Sequence, residues 1–246
     1  MDPMATSARS ISVIIPVFGE AAIIDETVRQ VRASTAGRPV EIVVADGGPG
    51  HATLKALREP DVVGVRCPPG RGVQMNAGAA VAQGDVLLFL HADTRLPEGW
   101  PVAVDRALDT VCDLARDCVR AGAFSLAIDS PRISLGVVAR FANLRSRFER
   151  VPYGDQAPFF DAGLFRELGG FAPIPIMEDV ELFRRLKRRG EPVTILAERV
   201  LTSPRRWERD GVVRRTLGNW RLRLRYALGA APEDLARFYR PEDGEA

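Results

Sequence analysis

The hydrophobic positions of the first hundred residues fall into short β-branched runs, separated by segments whose apolar residues recur at helical spacing. Short runs of this kind are typical of strands buried on both faces, and the segments between them predict helices. Strand and helix alternate, and the order β-α-β-α-β-α-β predicts an α/β fold with a mainly parallel sheet and helices on both faces. The four predicted strands cover residues 11–18, 39–48, 61–67 and 85–93.

The second half of the chain has a less regular pattern, in which helical segments outnumber strands. We expect one domain over residues 10–203, followed by an arginine-rich helical extension over 204–246. Within the domain we predict helices over 101–119 and 135–151, a helix that starts at Glu178 and ends at Gly190, strands over 121–129 and 191–203, and a loop with a short helix over 154–171.

Composition limits the class of protein. The chain has 246 residues, of which 46% are hydrophobic, and its net charge is +2, so we expect a soluble globular protein that does not bind nucleic acid. The three cysteines lack CxxC or CxxH spacing, which argues against a disulfide framework or a zinc site and favours a reducing cytoplasm. The first ten residues lack the apolar core of a signal peptide, and no apolar run reaches the ~18 residues of a membrane span.

The helical extension is strongly basic at its start. From Arg205 to Arg225 it carries eight arginines and two acids, with apolar residues such as Trp220 and Leu224 between them. Three interpretations are open, namely an interfacial helix on anionic lipid, a helix packed on the domain with its arginines in water, and an oligomer contact such as a homodimer interface. The expected location is therefore the cytoplasm, with peripheral contact at the inner face of the membrane as the alternative.

Charged or conformationally special residues follow every predicted strand of the first half. Ligands of parallel sheets bind beyond the carboxyl ends of the strands, so we expect these residues to meet at one rim. They are Pro16, Phe18 and Glu20, then Asp46, Gly47 and Gly48, then the segment from Arg66 to Arg71, and finally His91, Ala92 and Asp93.

Asp93 ends an apolar strand, where a carboxylate is costly unless something pairs with it. A hard cation, Mg²⁺ or Mn²⁺, that bridges the oxygens of a diphosphate is a suitable partner. One or two carboxylates plus the substrate suffice to hold such an ion, so Asp93 is a candidate metal ligand. The alternative is that Asp93 caps the segment that follows it.

Two further rim segments also have a functional and a structural interpretation. Asp46 is suited to accept a hydrogen bond from a base or ribose, and Gly47 and Gly48 allow a ligand to approach the backbone, but a strand-to-helix turn needs the same residues. Arg71 lies in a glycine-rich turn that opens a helix, which suits an anionic ligand, and a solvated arginine is the alternative.

Two candidate groups lie in the second half of the chain. Glu178 and Asp179 begin a helix, where acids favour the helix dipole, and capping is the alternative to base catalysis. In sugar transfer with inversion, a carboxylate takes the proton of the acceptor hydroxyl as its oxygen attacks the anomeric carbon. Arg205, Arg206 and Trp207 are suited to clamp a diphosphate and to stack on a sugar or base, and the alternative is a solvated helix start.

Seven segments resemble the family 2 glycosyltransferases of the GT-A fold, and they follow one another along the chain in the order that is typical of the family. The resemblance covers residues 11 to about 210 and implies a mixed, mainly parallel, Rossmann-like sheet, with a nucleotide-binding half over 10–95 and an acceptor half over 96–203. Two of these segments, GRGVQMNAGA and the LFLHADTRLP part of the fourth, resemble in particular a bacterial subfamily of glycosyltransferases. This subfamily is associated with radical-SAM/selenodomain proteins. The seven segments are SVIIPVFGE, VVADGG, GRGVQMNAGA, DVLLFLHADTRLP, GGF, MEDVELFRRL and SPRRWERDG.

The resemblance also implies roles for individual residues. His91 replaces the first acid of the family's DxD motif, and a neutral imidazole can bind Mn²⁺ without adding negative charge, so weaker metal binding or a preference for Mn²⁺ over Mg²⁺ is expected. Ser203 stands at the position of the glutamine in the family's QxxRW signature. The roles implied are nucleotide binding for Pro16, Phe18, Glu20, Asp46, Gly47, Arg71, Ala92, Arg206 and Trp207, metal binding for Asp93 and His91, and base catalysis for Asp179 with Glu178 beside it.

The activity that the resemblance implies is inverting transfer of a sugar from a nucleotide-sugar to a hydroxyl acceptor, a small molecule or a lipid, with Mn²⁺ or Mg²⁺ as cofactor. A UDP-sugar is the preferred donor and a GDP-sugar the second choice. The alternatives are a nucleotide-sugar-binding module without catalysis and a nucleotidyltransferase. The nucleotidyltransferase would need a glycine-rich basic loop after the first strand, where this chain has PVFGEAAII.

Overall fold

The computed structural model describes residues 8–109 and 118–238. Within these ranges the strands are β1 (Ile11–Val17), β2 (Glu41–Asp46), β3 (Val62–Arg66), β4 (Val86–Phe89), β5 (Thr94–Arg95), β6 (Ala121–Ile128), β7 (Phe159–Asp161) and β8 (Val193–Thr202). The helices are α1 (Ile24–Ala33), α2 (Ala52–Ala56), α3 (Arg71–Val81), α4 (Trp100–Leu108), α5 (Ile133–Glu149), α6 (Ala162–Glu167), α7 (Glu178–Arg188), α8 (Arg205–Asp210), α9 (Val212–Ala227) and α10 (Pro232–Ala236).

The four strands predicted in the first half form a parallel sheet in the order β3-β2-β1-β4. Ile14 of β1 lies opposite Val43 of β2 and Phe89 of β4, and all three side chains are buried. Ile14 belongs to the core on one side of the sheet, whereas its neighbours Val13 and Ile15 belong to the core on the other side. Burial on both faces explains why β1, β2 and β4 are continuous apolar runs, whereas β3 lies at the edge of the sheet and is largely exposed. The parallel sheet with helices on both faces confirms the predicted α/β architecture.

The second half of the chain extends the same sheet into the mixed order β3-β2-β1-β4-β7-β6-β8-β5. β7 pairs antiparallel with β4 and β6, β8 is parallel to β6, and β5 pairs antiparallel with β8. The strand predicted over 191–203 and the helix predicted from Glu178 are confirmed as β8 and α7. The prediction of a loop where β7 lies is wrong, and β5 is missed, because strands of three and two residues are too short to show a period of two.

The helix predicted after Trp100 is shorter in the structure than in the prediction. α4 ends at Leu108, whereas the predicted helix continued to residue 119; residues 110–117 of that prediction lie outside the described ranges, and residues 118–120 are not helical. Cys118 forms a disulfide, whereas Cys67 has a free thiol. The spacing of the cysteines argues against a framework of several disulfides, but it carries no information about a single bond.

A cluster of phenylalanines packs against one face of the sheet and supports the loop that leads to α7. Phe89 and Phe171 pack edge to face with 4.9 Å between ring centroids, and Phe160 and Phe165 pack around them. The backbone of Phe171 is also fixed to α3, because Asn76 donates to its carbonyl at 2.8 Å and accepts from its N–H at 2.9 Å. The start of α7 is therefore positioned by both the sheet and α3.

The described residues that follow β8 form α8, α9 and α10, and the division into a domain and an extension stays a prediction. Leu222 of α9 and Leu235 of α10 pack with Ile176, which lies in the loop before α7. Arg223 of α9 forms an ion pair with Glu149 at the end of α5. The extension is thus held against the acceptor half of the predicted domain. None of the described helices is both long enough and apolar enough to cross a membrane.

Candidate active site

A cleft of about 450 Å³ opens at the carboxyl ends of β1 and β4, with an adjoining pocket of about 40 Å³. The amino ends of α3 and α7 also border the cleft, and their dipoles favour anions there. This is the edge at which α/β sheets bind their ligands. The predicted site residues that line the cleft or the pocket are Pro16, Phe18, Glu20, Arg71, His91, Ala92, Asp93, Glu178, Asp179, Arg206 and Trp207.

Two predicted nucleotide-binding residues, Asp46 and Gly47, are buried and lie outside this lining. The Asp46 carboxylate accepts from the N–H of Gly48 at 2.8 Å and from the N–H of Leu54 at 3.1 Å, so it holds the turn after β2. A Cβ atom on Gly47 would lie 2.9 Å from Cδ of Gln74, so close packing requires a glycine there. The structure thus gives both residues the structural role, and contact between Asp46 and a nucleotide stays a prediction.

Gln74 is a buried residue of the site that sequence reasoning missed. Its amide donates to the carbonyl of Val17 at 2.6 Å and to the carbonyl of Ala45 at 3.3 Å, which joins the ends of β1 and β2. It also lines both the cleft and the pocket. The available signal was a polar residue on the apolar side of α3, within the segment GRGVQMNAGA.

His91 lies in the turn that follows β4. The turn is closed by the N–H of Thr94, which donates to the carbonyl of His91 at 3.0 Å, and the hydroxyl of Thr27 donates to the carbonyl of Ala92 at 2.7 Å. Burial, together with the positive charges of Arg71 and Arg206, holds the pKa of His91 well below its usual range, so the imidazole is neutral. Its Nε2 atom is buried and hydrogen-bonds to no atom of the described residues.

These features fit a divalent metal ion. A neutral imidazole with a buried, unsatisfied nitrogen is a suitable metal ligand, and the carboxylate of Asp93 lies two residues along the same turn. Asp93 Oδ2 is 3.8 Å from Nη2 of Arg205, and the carboxylate remains mostly buried. Nowhere in the described ranges do three His, Cys, Asp or Glu side chains form a metal-binding group, so an ion bound by His91 and Asp93 would need oxygens from a substrate.

The two acids at the start of α7 have different surroundings. Glu178 is buried, and its Oε1 lies 3.5 Å from Nη1 of Arg71, so it holds that arginine at the edge of the cleft. Oδ2 of Asp179 accepts from the N–H of Gly154 at 2.6 Å, and Oδ1 accepts from its own helix at Val180. Asp179 is therefore fixed in the cleft wall by a second loop.

Met177 precedes α7 in the left-handed conformation, with φ of 70°. A non-glycine residue in this region is strained, and such strain concentrates at functional sites. α3 approaches this region closely, because a Cβ on Gly72 would lie 2.8 Å from the carbonyl oxygen of Ala172. The loop before Glu178 therefore packs closely against α3.

Asp155 is a carboxylate of the cleft that sequence reasoning did not single out. Burial, followed by the negative charge of Asp179, raises its pKa to about 6. Its Oδ1 is buried and accepts no hydrogen bond from the described part of the chain. The neighbouring Gln156 fixes the turn, since its amide donates to the carbonyl of Phe124 at 2.9 Å and its oxygen accepts from the hydroxyl of Ser146 at 2.6 Å.

The opposite wall of the cleft is formed by α8. Arg206 is close enough to His91 and Asp155 to lower the pKa of each, and Trp207 beside it is buried and lines the cleft. Arg71 contributes positive charge from the α3 side. The cleft therefore pairs a basic region, suited to a diphosphate, with a carboxylate region formed by Asp155 and Asp179.

Comparison with known proteins gives a family match at the level of sequence. The family described as glycosyl transferase family 2 matches residues 12–152, which is more than half of the chain. An uncharacterized glycosyltransferase of Mycobacterium tuberculosis is 30% identical over 196 residues, which cover 77% of this chain and 73% of that protein.

Solved structures share the fold at lower identity. The mannosyltransferase PcManGT from Pyrobaculum calidifontis, in complex with GDP-Man and Mn²⁺, is similar with a TM-score of 0.64 and 19% identity, over 96% of this chain and 70% of that chain. Glucosyl-3-phosphoglycerate synthase from Mycobacterium tuberculosis, in complex with Mn²⁺, UDP and glucosyl-3-phosphoglycerate, is similar with a TM-score of 0.54 and 20% identity, over 78% of this chain and 70% of that chain. The fold, the cleft and the sequence match agree that the chain belongs to glycosyl transferase family 2 and is a glycosyltransferase of the GT-A fold.

Proposed function

We propose that the protein moves a glycosyl group from a nucleotide-sugar to a hydroxyl acceptor, with inversion at the anomeric carbon and with the help of a divalent metal ion. The observation that carries this proposal is that one cleft joins a diphosphate-binding region, formed by Arg71, His91, Asp93 and Arg206, to a fixed carboxylate, Asp179. A UDP-sugar is the preferred donor, with a GDP-sugar as the second choice. The bound UDP and GDP-Man of the two structural relatives support this class of donor.

The donor's diphosphate is bound at the rim between α3 and α8. Arg71 and Arg206 supply fixed positive charge where negative charge builds up on the leaving nucleoside diphosphate. His91 and Asp93 would hold the metal ion, which neutralises the same charge when it is bound. The nitrogen and oxygen atoms of these two side chains favour Mn²⁺ over Mg²⁺, since Mg²⁺ prefers oxygen ligands. Pro16, Phe18, Glu20 and Ala92 line the adjoining pocket and form the wall next to the nucleotide.

The acceptor is activated at α7. Its hydroxyl oxygen attacks the anomeric carbon and forms the new glycosidic bond, while the bond from that carbon to the diphosphate oxygen breaks and its electron pair leaves with the nucleoside diphosphate. Asp179 takes the hydroxyl proton, and the hydrogen bond from the N–H of Gly154 keeps its carboxylate in place for this transfer. Glu178 does not face the acceptor in this scheme, because it pairs with Arg71 and keeps that arginine near the diphosphate.

The test is release of nucleoside diphosphate from a panel of UDP- and GDP-sugars, with Mn²⁺, Mg²⁺ or EDTA, since slow hydrolysis reveals a donor without its acceptor. Metal-dependent release from one donor, lost in Asp93→Ala, is the expected result. Asp179→Asn should lower the rate by about 10²–10⁴-fold while donor binding survives. Glu181→Gln is the matched control, because Glu181 lies in the same helical turn and pairs with Arg185 at 2.8 Å, outside the cleft.

The same assay separates the alternative activities. A nucleotide-sugar-binding module would bind a donor by calorimetry but release nothing, and Asp179→Asn would then change no rate. A nucleotidyltransferase would form pyrophosphate from a nucleoside triphosphate and a sugar phosphate. If no donor in the panel is hydrolysed and neither UDP nor GDP binds, the proposed nucleotide-sugar transfer is wrong for this chain.

A further inference from the structure

α9 and the residue that ends it, Leu228, carry a stripe of large apolar side chains that face solvent. They are Val213, Leu217, Trp220, Leu224 and Leu228, and each is at least 60% exposed. They are separated by four, three, four and four residues, which places them on one face of the helix. Isolated exposed apolar residues are ordinary, but a continuous stripe over four turns is typical of a binding surface.

α5 carries a second stripe, whose members are likewise three or four residues apart. Its members are Ile133, Val137, Phe141, Leu144 and Phe148, and their exposure ranges from 47% for Val137 to 89% for Phe148. α5 and α9 pack against each other, with the ion pair between Glu149 and Arg223 at their contact. We call the ten residues of the two stripes the α5–α9 surface.

The exposed charged side chains of these two helices are all basic. Arg214 and Arg221 flank the stripe of α9, and that helix contains no acidic residue. Arg140 and Arg147 flank the stripe of α5, whose one acid is Glu149, the partner of Arg223. At the spacing of an α-helix, the arginines of each helix lie along one edge of its apolar stripe. An apolar stripe with a row of arginine beside it is the arrangement of a helix that lies in the interface of an anionic membrane.

The charge pattern decides between the two occupants that an apolar surface of this size suggests. A second copy of the chain would bring arginine rows near arginine rows, and like charges oppose such a contact. An anionic lipid surface offers the complementary charge, and its acyl region accepts the apolar stripe. We propose that the α5–α9 surface binds the surface of an anionic lipid bilayer.

Membrane binding would also orient the cleft. Leu222 and Asn219 of α9 line the cleft, and Leu222 lies on the side of the helix opposite to the exposed stripe. α9 is therefore the wall between the cleft and the α5–α9 surface, so the cleft would lie about one helix diameter, roughly 10 Å, from the lipid headgroups. The proposal itself does not depend on the proposed reaction, because binding is measured without any substrate.

Flotation with lipid vesicles tests the proposal on the whole chain. The wild-type protein should float with phosphatidylcholine vesicles that contain about 30% phosphatidylglycerol, and it should bind pure phosphatidylcholine vesicles much more weakly. Binding should also weaken when salt rises from about 0.15 M to about 1 M, because the Debye length then falls to about 3 Å. Equal binding to neutral and anionic vesicles, or binding to neither, would overturn the proposal.

Two sets of variants separate the apolar and the charged contributions. W220S/L224S and F141S/F148S should each lower the partition coefficient at least about tenfold, whereas the control V81S/V102S, which removes exposed valines of α3 and α4, should not. R214Q/R221Q should lower it by about 25-fold, because each arginine near an anionic surface contributes about fivefold. The control R58Q/R66Q removes exposed arginines from the opposite end of the sheet.

The rival occupant has its own signature. Thermal melts establish that each variant is folded before its vesicle binding is compared. We expect all of them to fold, because the substituted side chains are exposed to solvent. If light scattering shows a wild-type dimer that W220S/L224S converts to monomer, and the wild-type protein does not float, the surface is a contact between copies of the chain and the membrane proposal is wrong. If W220S/L224S floats with anionic vesicles to the same extent as the wild-type protein, the membrane proposal is also wrong.

Discussion

Replacing Asp155 with asparagine tests the electrostatics of the cleft. The carboxyl group is buried and has a pKa of about 6, compared with an ordinary value of 3.8. Because the pKa of Asp155 is higher in the folded than in the unfolded protein, ionisation of its carboxyl group opposes folding. The contribution of the protonated group to stability is fully present below about pH 3.8, and it is lost as the pH rises through about 6. Above that pH the ionised Asp155 destabilises the native protein.

The magnitude follows from the difference between the two pKa values. At 1.36 kcal/mol for each pH unit, the ionised carboxylate costs about 3 kcal/mol of folding free energy at neutral pH. Asparagine has nearly the same shape and does not ionise, so Asp155→Asn should stabilise the protein at about pH 7.5 by up to this amount. The gain should shrink by about 2 kcal/mol between about pH 7.5 and about pH 4.5, where the native Asp155 is protonated.

Urea unfolding at the two pH values measures this difference directly. Asp129→Asn is the matched control, because the Asp129 side chain is 56% exposed and its replacement should change the unfolding free energy by less than about 0.5 kcal/mol. The same Asp155→Asn variant should have lower transferase activity, as expected when an unfavourable buried charge is kept for function. An Asp155→Asn protein that is no more stable than wild type at the higher pH, or whose gain is independent of pH, would refute this account of the cleft.

Three further predictions test individual contacts of the site. His91→Asp replaces a nitrogen ligand with oxygen, so the ratio of Mg²⁺-supported to Mn²⁺-supported rates should rise several-fold; an unchanged ratio would exclude His91 as a ligand. Gln74→Leu leaves two buried strand carbonyls without their hydrogen-bond donor. The free energy of unfolding, measured by urea titration, should fall by about 2–4 kcal/mol, and a loss below about 0.5 kcal/mol would contradict this expectation. Gly72→Ala would place a Cβ 2.8 Å from the carbonyl oxygen of Ala172, so the loop before α7 must move. The KM for the donor should therefore rise. A KM equal to that of the wild type would show that the loop accommodates the methyl group.

The sequence was sufficient to predict the first half of the fold and its rim. Apolar runs predict β1 to β4, and a parallel sheet brings the carboxyl ends of such strands to one edge, so the residues that follow them must meet there. This is why Phe18, Arg71, His91 and Asp93 could be assigned to a common site from a single sequence, and the structure places all four around the cleft. Asp46 shows the limit of the same reasoning: it follows a strand as well, but its carboxylate is used by the backbone of the next turn.

The missed residues have a common physical cause, which is that their chemistry arises from contacts distant in the chain. Asp155 follows Gly154 in a segment with no periodic pattern, and by itself the segment predicts only a loop. Its raised pKa requires burial under the rest of the fold and the charge of Asp179, which comes from a different element. The same loop uses the N–H of Gly154 to fix Asp179, so the carboxylate region of the cleft is built by two segments that each look ordinary in isolation. Periodicity can locate the elements that carry such groups, but the electrostatic coupling between them exists only in the folded protein.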